Sequence, residues 1–333
     1  MIRQTADELY DIIHSADFYE DEQYCRSALV LLDVYLDRSN DPTRVRQLKQ
    51  TLIQLINQHL YCPEFLEFNA CFNRKSALYY SAPVACRQTD QSVQFYRKHN
   101  NCSGLYMALC NHAANAIVSG NYDLASLALE ECLGMVQKSV TWYYPSLYKV
   151  KNNKILVSYL REEKQALGNR KKLLAASERA LNAFKEILNC QEDEVSYVIY
   201  LNHLSLSILC NSYTWPDQLV EANKLLADTD VYYQYFLYDL NLAAYLLNGD
   251  LSAASSEMKK LEMLDVPLLY PYTPIFKAKR YSQEQFITAN KQFKGDAINY
   301  NQAILMACSH IQDPTCRFYG RGFLLSDLQF LSF

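Results

Sequence analysis

One stretch of the chain, residues 232–264 (YYQYFLYDLNLAAYLLNGDLSAASSEMKKLEML), strongly limits what the protein can fold into. Apolar residues recur at helical spacing on both sides of Gly249-Asp250, which predicts two amphipathic helices joined by a tight turn. The same pattern occurs 129 residues earlier, over 105–133. The superposed positions are Tyr106 on Tyr235, Ala114 on Ala243, Gly120 on Gly249 and Ala125 on Ala254. Neither helix of such a pair can bury its apolar stripe alone, so the pair is a repeat unit.

Internal self-similarity of this kind indicates a helical solenoid. The chain of 333 residues has only eight Gly and nine Pro, which favours long helices and leaves little room for the turns of a β fold. The sequence therefore predicts an all-α protein. We expect one continuous solenoid with a helical lead-in over 1–100, repeats over 101–264, and a C-terminal helical pair with an aromatic capping tail over 265–333.

Helical periodicity sets the expected bounds of the helices. In the lead-in they run over 6–15, 22–37 and 42–60. Residues 61–100 are less regular, with Pro63 and Pro83 as breaks, and we expect short helices there. Beyond that region we predict helical pairs over 103–137, 146–188, 194–227, 232–264 and 282–311. Three prolines, Pro267, Pro271 and Pro274, separate the last two pairs.

The chain ends in an unusual aromatic segment, QDPTCRFYGRGFLLSDLQFLSF. The last repeat of a solenoid leaves one apolar face open, and we expect this segment to fold over that face. Docking of another molecule by the same segment is the alternative.

Charge and cysteine content restrict the classes of partner. The formal net charge of −4 gives no overall attraction to nucleic acid or to an anionic membrane. The N-terminus has no secretory character, and no run approaches the roughly 18 to 20 apolar residues of a membrane span. Eleven scattered cysteines form no C-x-x-C pair, which favours reduced, buried thiols. These features predict a cytoplasmic protein that uses no membrane and no metal.

Motifs for catalysis are missing from the sequence. The six histidines show no H-E-x-x-H spacing, and there is no G-x-S-x-G and no dinucleotide fingerprint. Cys110 and His112 are two residues apart, so they point away from each other on a helix and form a poor thiol–imidazole dyad. We therefore expect a binding protein without cofactors, and not an enzyme.

The units around Gly120 and Gly249 resemble tetratricopeptide repeats. Each has a small residue in the first helix, glycine at the turn, Tyr122 or Leu251 shortly after it, and alanine in the second helix. The chain is also similar to the sensor regions that follow the nucleotide-binding domain in bacterial signalling ATPases of the STAND class, although it contains no G-x-x-x-x-G-K-[ST] motif. The resemblance implies a right-handed alpha-alpha superhelix that binds a protein or peptide as a sensor or scaffold in signalling or defence.

In tetratricopeptide proteins the first helix of each pair lines the concave surface, so the resemblance implies ligand contacts there. The polar candidates on these helices are Asn111, Asn115, Lys149, Asn153, Asn202, Tyr238 and Asn241. Asparagine offers a donor and an acceptor, which suits clamping of an extended peptide backbone, and Lys149 could meet a terminal carboxylate. The alternative is that these asparagines cap helices, bridge repeats or face water.

Two other functions remain open at this point. One is a peptide-responsive regulator of the quorum-sensing receptor type, which would need an output domain that residues 1–60 do not clearly supply. The other is nucleic-acid binding through 149–186, where ten Lys or Arg stand against four Glu. Few aromatic residues interleave those charges, so nucleic acid is an unlikely partner. The oligomeric state is not encoded in any of these patterns.

Overall fold

A computed structural model shows an all-helical protein. It describes residues 2–15, 20–38, 42–76, 82–138, 144–166, 169–189, 195–227, 229, 231–264, 273–293 and 297–308. These residues form fifteen α-helices and no strand, which confirms the predicted all-α class. The chain divides into two compact units. The first comprises Met1–His112 and the second begins at Ala113.

The first unit is built from five helices and the start of a sixth. They are α1 (Ile2–Ile13), α2 (Asp21–Arg38), α3 (Pro42–Gln58), α4 (Pro63–Ser76), α5 (Ala82–Lys98) and α6 (Cys102–Val118). Helix α2 packs against α1, α3 and α4. Leu31, Leu32, Leu48 and Leu52 are fully buried between these helices, together with Phe68 of α4. Their spacing on α2 and α3 is that of a helix with one apolar face.

Residues 61–100 are more regular than the sequence pattern predicts. Pro63 is the first residue of α4 and Pro83 is the second residue of α5, so both prolines begin helices and neither breaks one. Amide hydrogens in the first turn of a helix have no intrahelical partner, so proline loses no hydrogen bond there. Its fixed φ also suits that position. Pro63 and Pro83 therefore stand at the starts of two helices, as expected for breaks in the pattern, and these helices are 14 and 17 residues long.

The second unit contains the rest of α6 and nine further helices. They are α7 (Tyr122–Lys138), α8 (Tyr144–Gln165), α9 (Arg170–Leu188), α10 (Val195–Leu209), α11 (Trp215–Leu225), α12 (Val231–Asn248), α13 (Leu251–Met263), α14 (Thr273–Thr288) and α15 (Ala297–Cys308). Helix α10 lies at the centre and contacts α8, α9, α11, α12 and α15. Nearly every described side chain of α10 is buried, which is typical of a helix surrounded by protein.

Helix α14 begins nine residues before the predicted start at residue 282. Pro274 is its second residue and, like the two prolines of the first unit, occupies the tolerated first turn. The predicted segment of aromatic residues at the C-terminus lies outside the described residues, and so does most of the proline-rich stretch before α14. No described helix combines the length and apolar character needed to cross a membrane.

The turns at Gly120 and Gly249 share one backbone geometry. Gly120 and Gly249 adopt φ values of 73° and 76°. In both turns the glycine amide bonds the carbonyl three residues back and the next amide bonds the carbonyl five residues before it. This pair of bonds is a Schellman motif, whose left-handed residue favours glycine. The predicted glycine turns are therefore present.

Three other helices end with the same motif but with asparagine in place of glycine. Asn100, Asn211 and Asn290 have φ values of 52°, 52° and 49°, and their turns show the same pair of amide bonds. They follow α5, α10 and α14. Asparagine is the residue other than glycine that most readily adopts this conformation. The left-handed turn therefore occurs after three further helices. A comparison of the sequence that relies on glycine does not detect these three turns.

Candidate ligand-binding residues on the first helices

Two of the predicted ligand contacts, Asn153 of α8 and Asn202 of α10, belong to one buried network. The Nδ2 group of Asn202 donates to Oδ1 of Asn152 at 2.8 Å, and Nδ2 of Asn152 donates to Oδ1 of Asn153 at 3.0 Å. All three side chains are at most 1% exposed. The amides therefore join α8 to α10 across a buried contact. Asn152 was not among the predicted residues, although it is adjacent to Asn153 in the sequence.

Asn241 of α12 faces the second helices. It exchanges hydrogen bonds with Asn223 of α11 in both directions, at 2.9 and 3.1 Å, and its Nδ2 group lies 3.4 Å from Oε2 of Glu257 in α13. Glu257 is buried and accepts a hydrogen bond from Lys260 Nζ at 2.6 Å. This arrangement fastens α12 to the helices before and after it.

Tyr238 lies one turn before Asn241 on α12 and keeps part of its surface accessible. Lys260 Nζ stands 5.2 Å from the centre of its ring, a cation–π contact between α12 and α13. Lys149 of α8 is likewise half-buried. Of the seven predicted ligand contacts, Tyr238 and Lys149 are the two whose side chains are partly accessible, so a ligand can reach them without moving other residues.

The two predicted residues of α6 are also buried. Asn111 donates from Nδ2 to the backbone oxygen of Arg74 at 3.3 Å. Asn115 is 2% exposed, and its Nδ2 group has no hydrogen-bond partner among the described residues. The structure therefore assigns four of the five asparagines to contacts within the protein. Whether the seven residues contact a ligand stays a prediction.

A buried charged cluster, which the sequence patterns did not reveal, joins α12, α14 and α15. Asp239 of α12 accepts from Lys279 Nζ at 2.7 Å, and both side chains are 2% exposed. Gln283 Nε2 lies 3.3 Å from the other carboxylate oxygen of Asp239 and donates to the Tyr300 hydroxyl at 2.7 Å. Arg280 completes the cluster, with Nη1 3.3 Å from Asp239.

One signal in the sequence could have pointed to this cluster. Asp239 is the only charged residue of α12, whose other residues are largely apolar or aromatic. A carboxylate on a helix of this composition is expected to be buried, and buried carboxylates are almost always paired. Its cations come from a helix 40 residues further along the chain, and periodicity does not identify such a partner.

Burial also determines the protonation of neighbouring groups. Burial raises the pKa values of Tyr235 and Tyr300, and the nearby carboxylate of Asp239 adds to this, while the Arg280 and Lys279 charges oppose it. Both phenols are therefore neutral at physiological pH and retain a hydroxyl proton. The carboxylate oxygens of Asp239 lie 2.7 Å from Lys279 Nζ and 3.3 Å from Arg280 Nη1.

His112 and two of the described cysteines, Cys25 and Cys210, are held in largely buried surroundings. His112 Nδ1 lies 2.9 Å from the Thr89 hydroxyl, and burial lowers the pKa of His112. Burial raises the pKa values of the Cys25 and Cys210 thiols to about 12, which keeps them protonated and poorly nucleophilic. Within the described part of the chain, no three His, Cys, Asp or Glu side chains come together as metal ligands could.

No protein-family model matches the sequence, and no curated protein matches it either.

Proposed function

We propose that this chain is a non-enzymatic helical-repeat module of tetratricopeptide type that binds a protein or peptide. In this proposal the helices of the second unit form a right-handed superhelix, and the protein acts in the cytoplasm as a sensor or scaffold in bacterial signalling or defence. The observation that carries the proposal is a row of consecutive first helices, α8, α10, α12 and α14, linked side by side.

Each link in this row is a specific side-chain contact. Asn152 and Asn202 join α8 to α10, the rings of Tyr197 and Tyr233 join α10 to α12 with centroids 5.6 Å apart, and Asp239 and Lys279 join α12 to α14. The repeated left-handed turns after α10, α12 and α14 support the same repeat. Rows of first helices are the ligand-binding surface of proteins built in this way.

The buried amides give this surface rigidity. Because the asparagines of α8, α10 and α12 bond to other helices, a ligand would meet a surface that is already ordered, and little conformational entropy would be lost on binding. In this proposal the accessible side chains of the same helices are the first to contact the ligand. Lys149 and Tyr238 supply a cation and an aromatic ring there.

Native mass spectrometry of the protein purified gently from its own cell tests the proposal. We expect a peptide or a stoichiometric protein to stay bound and to be released by heat. The variants Lys149→Ala and Tyr238→Ala should then retain at least about tenfold less of that partner, equivalent to about 1.4 kcal/mol each. Lys171→Ala on the exposed face of α9 is the matched control and should bind normally.

Two results would contradict the proposal. One is a protein that carries no partner and captures none at physiological salt. The other is full partner retention by a correctly folded double variant of Lys149 and Tyr238, which would place the binding surface elsewhere. Circular dichroism and the midpoint of thermal unfolding establish that each variant is folded, so a loss of binding cannot be confused with unfolding.

A further inference from the structure

Helix α15 differs in its packing from α9, α11 and α13 of the second unit. Each of those three helices contacts the helix before it and the helix after it in the chain. Helix α15 contacts the helix before it, α14, and also contacts α10, which lies far earlier in the sequence. Gln283 of α14 donates to the Tyr300 hydroxyl of α15 and lies 3.3 Å from Asp239 of α12. Helix α15 therefore lies over the surface that α10, α12 and α14 present together.

The helices beneath α15 are buried like the interior of a protein. Every residue of 201–209 in α10 and of 239–244 in α12 is buried. A helix that is buried on all its faces must have protein on every side. Around α10 those neighbours are α8, α9, α11, α12 and α15. Movement of α15 away from this position would expose an apolar surface on α10.

Helix α15 has the residue pattern of a helix that docks in a groove. Its buried side chains include a set at the spacing i, i+3, i+4 and i+7, namely Ala297, Tyr300, Asn301 and Ile304. Gln302, on the opposite face, is exposed. This spacing is the one by which amphipathic helical ligands place their anchors in a hydrophobic groove. Helix α15 is thus bound by the rest of the unit in the way that a helical ligand would be.

One residue in the buried face of α15 opposes this burial. Asn301 is 4% exposed, and neither its Nδ2 nor its Oδ1 atom has a hydrogen-bond partner among the described residues. A buried amide without partners has given up its hydrogen bonds to water and gained none in return. By contrast, the amides of Asn202 and Asn241, on the helices beneath, bond to other helices. Asn301 therefore weakens the attachment of α15.

We propose that the partner of this protein binds to the surface of α10, α12 and α14 beneath α15, that it docks there as an amphipathic helix, and that it displaces α15. The inference rests on the proposed function and specifies the partner and its mode of binding. The partner helix carries apolar anchors at the spacing seen in α15, because those anchors fit the surface. Helix α15 lowers the apparent affinity of the partner, since only molecules in which α15 has moved away can bind it.

A peptide with the sequence of α15, Ala297–Cys308, is the probe for this surface. Fluorescence anisotropy of the labelled peptide, in reducing buffer, measures its binding to the full-length protein. The variant Tyr300→Ala with Ile304→Asp has a weakened α15 of its own, and we expect it to bind the peptide at least about tenfold more tightly than the native protein does. A peptide with the same two substitutions should bind neither protein. An Asn301→Leu peptide should bind the variant about tenfold more tightly than the unsubstituted peptide.

Hydrogen exchange measured by mass spectrometry tests the displacement of α15 in the full-length chain, and it decides the question if the double variant does not fold. In the native protein the amides of α15 should exchange at least about tenfold faster than those of α12. Asn301→Leu should slow exchange in α15 about tenfold and leave α12 unchanged, because it removes the buried amide. Gln302→Leu, on the exposed face of the same helix, is the matched control and should exchange as the native protein does.

The outcomes distinguish this inference from the proposed function. A correctly folded double variant that does not bind the peptide would overturn the inference, and so would exchange in α15 as slow as in α12. A partner that is captured from the cell but leaves exchange in α15 unchanged would also overturn it, while the proposed function would stand. Peptide binding by a protein that captures no cellular partner would contradict the proposed function and support a surface from which α15 can be displaced.

Discussion

Lys279 Nζ lies 2.7 Å from Asp239 Oδ2, and the two side chains, 40 residues apart in the sequence, are both 2% exposed. This ion pair joins α14 to α12. Its carboxylate also contacts Arg280 and Gln283, so every oxygen of Asp239 faces a donor. The pair is therefore the point at which α14 is fixed to α12.

Replacing Asp239 by alanine should destabilise the second unit strongly. The substitution leaves two cations without their carboxylate, and removal of one partner from a buried ion pair costs about 3–5 kcal/mol. Urea unfolding followed by tryptophan fluorescence measures the loss, because Trp215 lies in α11 of this unit. The double variant Asp239→Leu with Lys279→Met should recover most of the stability. A loss below about 1 kcal/mol in Asp239→Ala would show that the pair is not structural.

Local patterns were sufficient to predict most of the helices but not their buried polar contacts. Helix α9 ends at residue 188, the predicted end of its helical pair, and it has an Asn cap and a clear apolar stripe. Helices α6, α8, α10 and α12 carry the predicted asparagines, yet Asn202 bonds a residue 50 positions away and Asp239 bonds one 40 positions away. Such partners depend on how helices pack, and periodicity within one helix does not encode that.

The left-handed turns provide a comparison of two glycines. Gly120 and Gly249 have nearly equal φ values, but a Cβ at Gly120 meets nothing within 4 Å, whereas one at Gly249 approaches Gln292 Nε2 to 2.7 Å. Gly120→Ala should cost about 1–2 kcal/mol, the usual penalty for a side chain in this conformation. Gly249→Ala should cost as much and, in addition, shift the flexible Gln292 side chain. Equal stability of Gly120→Ala and the native protein in urea unfolding would contradict the strained turn.

Asparagine at the other turns explains why the sequence comparison found only two units. Asn211 occupies the same left-handed position as Gly249, and eight residues before each of them lies a buried polar side chain, His203 or Asn241. A search for glycine alone misses this equivalence, because asparagine can also adopt the left-handed backbone conformation. The physical requirement is a left-handed residue, and the amino acid that meets it varies.

The hydrogen bond between Asn152 and Asn202 predicts the effect of removing one amide side chain. Asn202→Ala leaves Oδ1 of Asn152 without this donor in a buried position, at a cost of about 1–3 kcal/mol. Asn182→Ala, an exposed asparagine inside α9, is the matched control and should change the unfolding free energy by no more than about 0.5 kcal/mol. Urea unfolding of the two variants gives the difference. Equal effects at both positions would mean that the buried amide contact contributes nothing to stability.

His203 predicts how stability depends on pH. Burial, with a smaller contribution from the nearby Lys185 charge, lowers the pKa of this imidazole from 6.5 to about 4, and the side chain is 7% exposed. The folded protein keeps His203 neutral while the unfolded chain takes up a proton below pH 6.5, so its contribution is present above that pH and is lost as the pH falls towards 4. Between pH 7.5 and pH 5 the loss should be about 2 kcal/mol. His203→Gln, measured by urea unfolding at both pH values, should lose about that much less than the native protein, whereas His99→Gln on the surface should show the native dependence. An unchanged pH dependence in His203→Gln would mean that this imidazole does not stay neutral in the folded protein.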